Sequence, residues 1–173
     1  QSFDAIVIGA GQAGPSLAVD CAHKGMRTAL IERERLGGTC VNVGCIPTKL
    51  IVYPADRIME IREAKKFGIT AEIKSIDFKA IMDRMRSNVK KSHDRIQEDL
   101  STAKDFDFYF GEARFTGDYT LEATGQTIKG KTIFIASGAR PLIPPIKGID
   151  DVSYLTNESA LQLTTLPESM III

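Results

Sequence analysis

Little in this sequence marks it for a charged or membranous partner. Twenty-two basic residues are matched by twenty-two acidic ones, so the formal net charge is zero. That removes any electrostatic argument for nucleic acid, a membrane surface or a strongly charged substrate. No apolar run approaches the roughly 20 residues that a membrane-crossing helix needs. No secretory signal is visible, because the apolar stretch from Phe3 to Ala10 reads as a strand and runs straight into glycines. Three cysteines in 173 residues are too few for a disulfide scaffold. They point to the cytoplasm and to reactive thiols. Internal repeats and low-complexity tracts are also lacking. Hydrophobic and charged fractions of 43% and 25% are those of an ordinary globular chain with one sizeable core.

What is present begins at the first residues. Phe3 to Ile8 is a short apolar strand, followed by Gly9-Ala10-Gly11-Gln12-Ala13-Gly14 and a helical stretch to about Lys24. Gly25 is a plausible stop. Arg27 to Ile31 is a second strand, completing a βαβ unit of about 30 residues. The Gly9-x-Gly11-x-x-Gly14 spacing sits where a dinucleotide site requires it, between strand and helix. Gly9 permits the tight turn, Gly11 lets backbone approach a pyrophosphate, and Gly14 allows close packing of helix on strand. The helix start offers free N–H groups to phosphate. Pro15 in the first turn loses nothing by lacking an N–H. Glu32 ends the second strand about 20 positions after the central glycine, the place for a carboxylate that binds a ribose diol. The fingerprint does not by itself separate FAD from NAD.

Leu36 to Gly44 reads as a glycine-rich loop. From Cys45 to about Lys66 the pattern is helical, with Pro54 expected to kink or break it. Asp77 is a candidate N-cap for a long polar helix to about Thr102, with Ile81, Met85, Val89, Ile96 and Leu100 as its apolar stripe. Phe106–Phe110, Ala113–Thr116, Tyr119–Ala123 and Thr132–Ile135 read as short strands with glycine turns. Leu142 to Gly148 is a proline-rich connection, and Asn157 to Leu163 a short helix. Ser169 to Ile173 reads as the opening of a buried strand, which together with a Gln1 start leads us to expect part of a longer protein.

The segment Gly37-Gly38-Thr39-Cys40-Val41-Asn42-Val43-Gly44-Cys45-Ile46-Pro47-Thr48-Lys49 carries the most chemistry. In an ideal helix, Cα atoms five apart lie roughly 8.6 Å from one another. A disulfide spans about 4.4–6.8 Å. Cys40 and Cys45 can therefore bridge only where the backbone leaves a regular helix, and Gly44 offers that freedom. Pro47 suits a first helical turn and places Cys45 near a helix N-terminus, where negative charge is favoured. Lys49 shares a helical face with Cys45. A structural zinc site lacks ligands, since Cys21, His23 and His93 have no matching spacing. Two ordinary buried cysteines remain an alternative to a redox-active pair.

This segment resembles the active-site signature of the class I pyridine nucleotide–disulfide oxidoreductases, which include dihydrolipoamide dehydrogenase, glutathione reductase and mercuric reductase. The resemblance runs along essentially the whole chain. Thr132-Ile133-Phe134-Ile135-Ala136-Ser137-Gly138-Ala139-Arg140-Pro141 is similar to the family's second flavin-contact motif, with Ser137 where Thr is usual. The resemblance implies an α/β fold: a Rossmann-like FAD-binding domain with a parallel sheet, long helices and a small antiparallel β-meander. Residues 1–150 would be the first, incomplete segment of that domain. Residues 151–173 would be the connection and first strand of an NAD(P)H-binding domain.

The resemblance also implies roles. FAD would be held by Gly9, Gly11, Gln12, Ala13, Gly14, Glu32, Arg33, Gly38, Thr39, Ala113, Ala136, Ser137 and Gly138, with Cys45 and Lys49 beside the flavin ring. Cys45 would be the flavin-side thiol, Cys40 the interchange thiol, and Lys49 an electrostatic tuner. NAD(P)H would be the co-substrate, bound by a domain outside this chain. The protein would be a homodimer passing electrons to a disulfide, metal-ion or electrophilic substrate, with no resident metal. Gln12-Ala13-Gly14-Pro15 and Thr48 are most similar to the mercuric-reductase-like branch; dihydrolipoamide dehydrogenase, the alternative, more often has Ser at the place of Thr48. Val52, Tyr53 and Pro54 depart from the family's usual small residues. Taken alone, the chain is expected to be an inactive, at best partial, FAD-binding module. A plain NAD-dependent dehydrogenase domain leaves the cysteine segment unexplained.

Overall fold

A computed structural model describes the chain from Gln1 to Ile173. Six strands form one mixed sheet: β1 (Ser2–Ile8), β2 (Thr28–Glu32), β3 (Asp107–Phe110), β4 (Ala113–Gly117), β5 (Thr120–Ala123) and β6 (Gln126–Ile135), in the order β3-β2-β1-β6-β5-β4. β1 is central and pairs in parallel with both β2 and β6, and β3 adds in parallel to the far side of β2. Its residues Ala5, Ile6 and Val7 are fully buried, as a strand covered on both faces requires. β4, β5 and the start of β6 form the antiparallel meander.

The helices are α1 (Gly14–His23), α2 (Gly38–Val43), α3 (Cys45–Glu63), α4 (Phe78–Ser101) and α5 (Asn157–Ala160), with a 3-10 turn at Ala64–Phe67. Two compact units result, and neither is a continuous stretch: residues 1–42 with 91–140, and residues 43–90 with 141–173.

The first unit holds the whole sheet. Strand alternation divides its core: Ala29 and Ile31 of β2 join Phe3, Tyr109, Leu121 and Ile128 on one side. Leu30 and Val7 join Ala18, Leu36, Leu100 and Phe106 on the other. In the second unit, Met82 and Met85 of α4 pack with Val43 and Leu161. Asp77 caps α4 as its position in the sequence implies, its carboxylate accepting from the Ala80 N–H at 2.8 Å.

Several expectations need correction. The segment after Leu36 is not all loop, because residues 38–43 form α2, held by Asn42, whose side-chain amide donates to the carbonyls of Leu36 (2.9 Å) and Gly38 (2.8 Å). Pro54 does not break α3, which continues to Glu63. The ring removes one backbone donor from a helix of 19 residues, and the remaining turns carry it through. β6 begins at Gln126 rather than Thr132, since β1 keeps pairing across Lys129 and Gly130. Met82, 1% exposed, belongs to the apolar stripe of α4 that the sequence reading left without it. α5 ends at Ala160 and tightens into turns through Leu163. Met170 to Ile173 form no strand here and are exposed.

Candidate functional site

The first unit places Gly9, Gly11, Gly14, Gly37, Gly38 and Gly138 around the carboxyl ends of β1, β2 and β6. Gly9 leaves β1 with φ of +109°, a left-handed conformation. A Cβ there would lie 2.4 Å from the Ala136 carbonyl oxygen, and one on Gly14 would lie 1.8 Å from the Gly9 carbonyl oxygen. Side chains are excluded at both positions by backbone, not by neighbours that can move. The nearest atom to a Cβ on Gly11 is the Gly38 Cα at 3.7 Å, while one on Gly38, at φ +60°, would lie 2.7 Å from the Gly11 Cα. Two glycine backbones thus face each other, and α2 starts against the turn.

Glu32 ties this turn to the end of β2. The Ala10 N–H donates to its Oε2 at 2.7 Å, and the N–H groups of Glu34 (2.9 Å) and Arg35 (3.1 Å) donate to Oε1. Burial by itself would raise the carboxyl's pKa, but the backbone donors Glu34, Ala10 and Arg35 outweigh it and hold the group below the ordinary glutamate range. Gln12 donates from Nε2 to the Gly37 carbonyl (3.2 Å), and the Gly37 N–H donates to the Ala10 carbonyl (2.8 Å). Ala136 donates its N–H to Ile8 (2.8 Å), which places Ala136, Ser137 and Gly138 at the same sheet edge as the turn. Gly111 donates to the Glu32 carbonyl (2.8 Å), so Ala113, two residues on, starts β4 close to the end of β2. Gln12, Ala13, Arg33 and Thr39 are solvent-exposed around this cluster.

The first unit therefore brings together every expected cofactor residue except Cys45 and Lys49, together with Cys40. Cys40 sits in α2, two residues after Gly38, and is half-buried. Cys45 and Lys49 belong to the second unit, both exposed on the first turns of α3, with Cys45 its first residue. Gly44 alone separates the two helices and takes the non-helical φ −134°, ψ −111°. Pro47 lies in the first turn of α3, and the Thr48 N–H closes that turn on the Gly44 carbonyl (3.1 Å). All three cysteines are present as thiols, Cys21 being buried in α1. Asn42 and the Ala10 N–H are parts of this cluster that the sequence reading did not single out. Neither has a spacing signal: the first works through its side-chain amide, the second through backbone.

A dinucleotide turn is thus joined to a helix that carries a thiol. The family profile described as pyridine nucleotide-disulphide oxidoreductase matches residues 3–173. The chain belongs to that family. Family relatives include the mercuric reductase of Staphylococcus aureus, 34% identical over 172 residues that take in 99% of this chain and 31% of the relative. The dihydrolipoyl dehydrogenase of Bacillus subtilis is 32% identical over 184 residues, 99% of this chain and 39% of the relative. Among solved structures, the HOCl-induced flavoprotein disulfide reductase RclA of Escherichia coli superposes with a TM-score of 0.76 at 33% identity, covering 95% of this chain and 35% of that one. The chain spans about a third of the length of these relatives. Like the family, it has the Rossmann-like α/β fold, and no helix is long and apolar enough to cross a membrane.

Proposed function

We propose that this chain supplies the first part of the FAD site and both redox cysteines of a flavoprotein disulfide reductase. The observation that carries this reading is the approach of Gly38 to Gly11, which sets the start of the Cys40 helix against the dinucleotide turn. The residues fit the cofactor. Gly9 and Gly14 have no room for side chains, Gly11 leaves its backbone open, and α1, opening at Gly14 after the N-cap Ala13, has no side-chain cap on its N–H groups. Those N–H groups would take the pyrophosphate, and Glu32 with Arg33 the adenosine end. Thr39, Ala113, Ala136, Ser137 and Gly138 would line it.

Bound there, FAD supplies a two-electron relay between a reduced nicotinamide and the cysteine pair. The resemblance to the family assigns roles to the chain's own residues. Cys45, at the start of α3, is the flavin-side sulfur. Cys40 exchanges with substrate: its thiolate attacks a substrate disulfide, one substrate thiol leaves, and Cys45 displaces the second as the Cys40–Cys45 bond forms. Lys49, one turn from Cys45 on α3, would add positive charge on the side of the flavin-side thiol. The mercuric-reductase-like branch is the favoured one, on Thr48 and the Gln12-to-Pro15 turn, with a disulfide, metal ion or electrophile as acceptor. NAD(P)H as hydride donor, a cytoplasmic setting and a homodimer complete the reading.

The test is anaerobic two-electron reduction of the FAD-loaded full-length protein. A long-wavelength charge-transfer band should appear in the parent on reduction, should already be present before reduction in Cys40→Ser, which has no bridge to reduce, and should be absent in Cys45→Ser. A band that survives Cys45→Ser refutes the assignment.

A further inference from the structure

Val43 is the last residue of the Cys40 helix and stands just before Gly44, where the helical path breaks ahead of Cys45. Two contacts reach it from more than a hundred residues away. The side-chain amide of Asn157 donates to the Val43 carbonyl at 3.3 Å. Leu161, 7% exposed, packs with Val43 in the buried cluster of Met82 and Met85. Both contacts come from one short element, α5 and the turns after it.

That element is itself fastened at both ends. Thr156 and Ser159 form a capping box: the Thr156 hydroxyl accepts from Ser159 N–H (3.3 Å), and the Ser159 hydroxyl accepts from Thr156 N–H (2.8 Å). At the far end Arg86 of α4 donates to the carbonyls of Leu163 (2.6 Å) and Leu161 (3.4 Å). A four-residue helix has little stability of its own. Its order here comes from these ties, so it can transmit position rather than merely follow.

We propose that residues 156–163 act as a strut on the cysteine segment, with Asn157 the positioning residue for Cys45. By holding the carbonyl before Gly44, the strut orders the first turn of α3, whose closing bond is Thr48 N–H to Gly44 carbonyl at 3.1 Å. Ordering one sulfur in advance removes part of the entropy lost when a bridge closes. The strut therefore favours the disulfide over the dithiol, and couples the pair to the connection that carries α5. This rests on the reading of Cys40 and Cys45 as a redox pair.

Asn157→Asp in the full-length protein tests it. Aspartate at the first position of α5 suits a helix start, so α5 itself is kept. It has no N–H to give Val43 and turns a carboxylate on a carbonyl instead. The protein is equilibrated with glutathione mixtures, each bridge forming as two thiols give two electrons and two protons to one glutathione disulfide, which leaves as two glutathiones. Alkylation and mass analysis read the ratio. The midpoint should move about three- to tenfold toward the dithiol, the size that one net hydrogen bond allows. Hydrogen exchange at the Thr48 amide should quicken by a similar factor, with Glu158 and Ser159 unchanged. Leu161→Ala should move both readouts in the same direction through lost packing. A Thr48 exchange rate within twofold of the parent overturns the strut. A parent protein that forms no Cys40–Cys45 disulfide in any mixture overturns the redox-pair reading instead, and Thr48 exchange still decides the strut.

Discussion

The glycine turn of the first unit and helix α3 of the second are built on opposite plans. Around the turn, Gly9, Ala10 and Gly14 are buried, and position is set by backbone against backbone. Along α3, only Pro47 is buried; Cys45, Lys49, Val52 and Tyr53 all face solvent. One site tolerates no added atom at Gly9 or Gly14, whereas the other presents side chains on a helix that depends little on them. On the proposed reading, cofactor geometry at the turn and thiol chemistry on α3 are therefore separable by mutation. Changes at the turn should be read as unfolding, and changes on α3 as altered chemistry with the fold intact.

Gly14→Ala is the strongest way to sharpen that contrast. Its methyl group must displace the Gly9 carbonyl, and thermal or denaturant unfolding should show a loss of about 3 kcal/mol or more. Glu32→Gln comes next. It keeps the shape but weakens three charge-assisted acceptor contacts, and should cost about 1–3 kcal/mol near neutral pH. Because the folded carboxyl titrates below its ordinary value, its contribution is complete above the unfolded pKa and is lost as pH falls through the folded one. The parent should thus lose stability on acidification below the usual glutamate range, and Glu32→Gln should flatten that limb of the curve. Asp77→Ala, at the cap of α4, should cost about 1 kcal/mol in the same denaturation experiment. Cys45→Ser should change stability by less than about 0.5 kcal/mol, as an exposed position would. A large loss of stability in Cys45→Ser would break the comparison.

The same contrast separates what could be read from the sequence and what could not. The strand, turn and helix from Phe3 to Glu32 were legible because each glycine answers a local backbone demand and the apolar runs match their periods. Asp77 was legible for the same reason, as a cap acts on its own next turn. α2 was not, since six residues opening on glycine carry no helical period and depend on Asn42 bonding backwards. The first half of β6 was hidden because Lys129-Gly130-Lys131 looks like a turn, and only its pairing with β1 overrides that. The contacts of Asn157 and Arg86 are long-range and polar, without any pattern along the chain. Between Cys40 and Cys45 the backbone does leave the helical path at Gly44, as the glycine there implied.

The pairing of β1 with β6 has a consequence for how the protein is made. The central strand finds one of its two parallel neighbours only after more than a hundred further residues, Ser2 meeting Lys129 and Ile8 meeting Ile135. Synthesis at about 5–20 residues per second leaves β1 half-partnered for on the order of ten seconds. During that interval an apolar strand has an open edge, a template for mispairing with other chains. Contacts of such long reach also slow refolding of the finished chain. The emerging polypeptide has its greatest need of a chaperone before Ile135 leaves the ribosome.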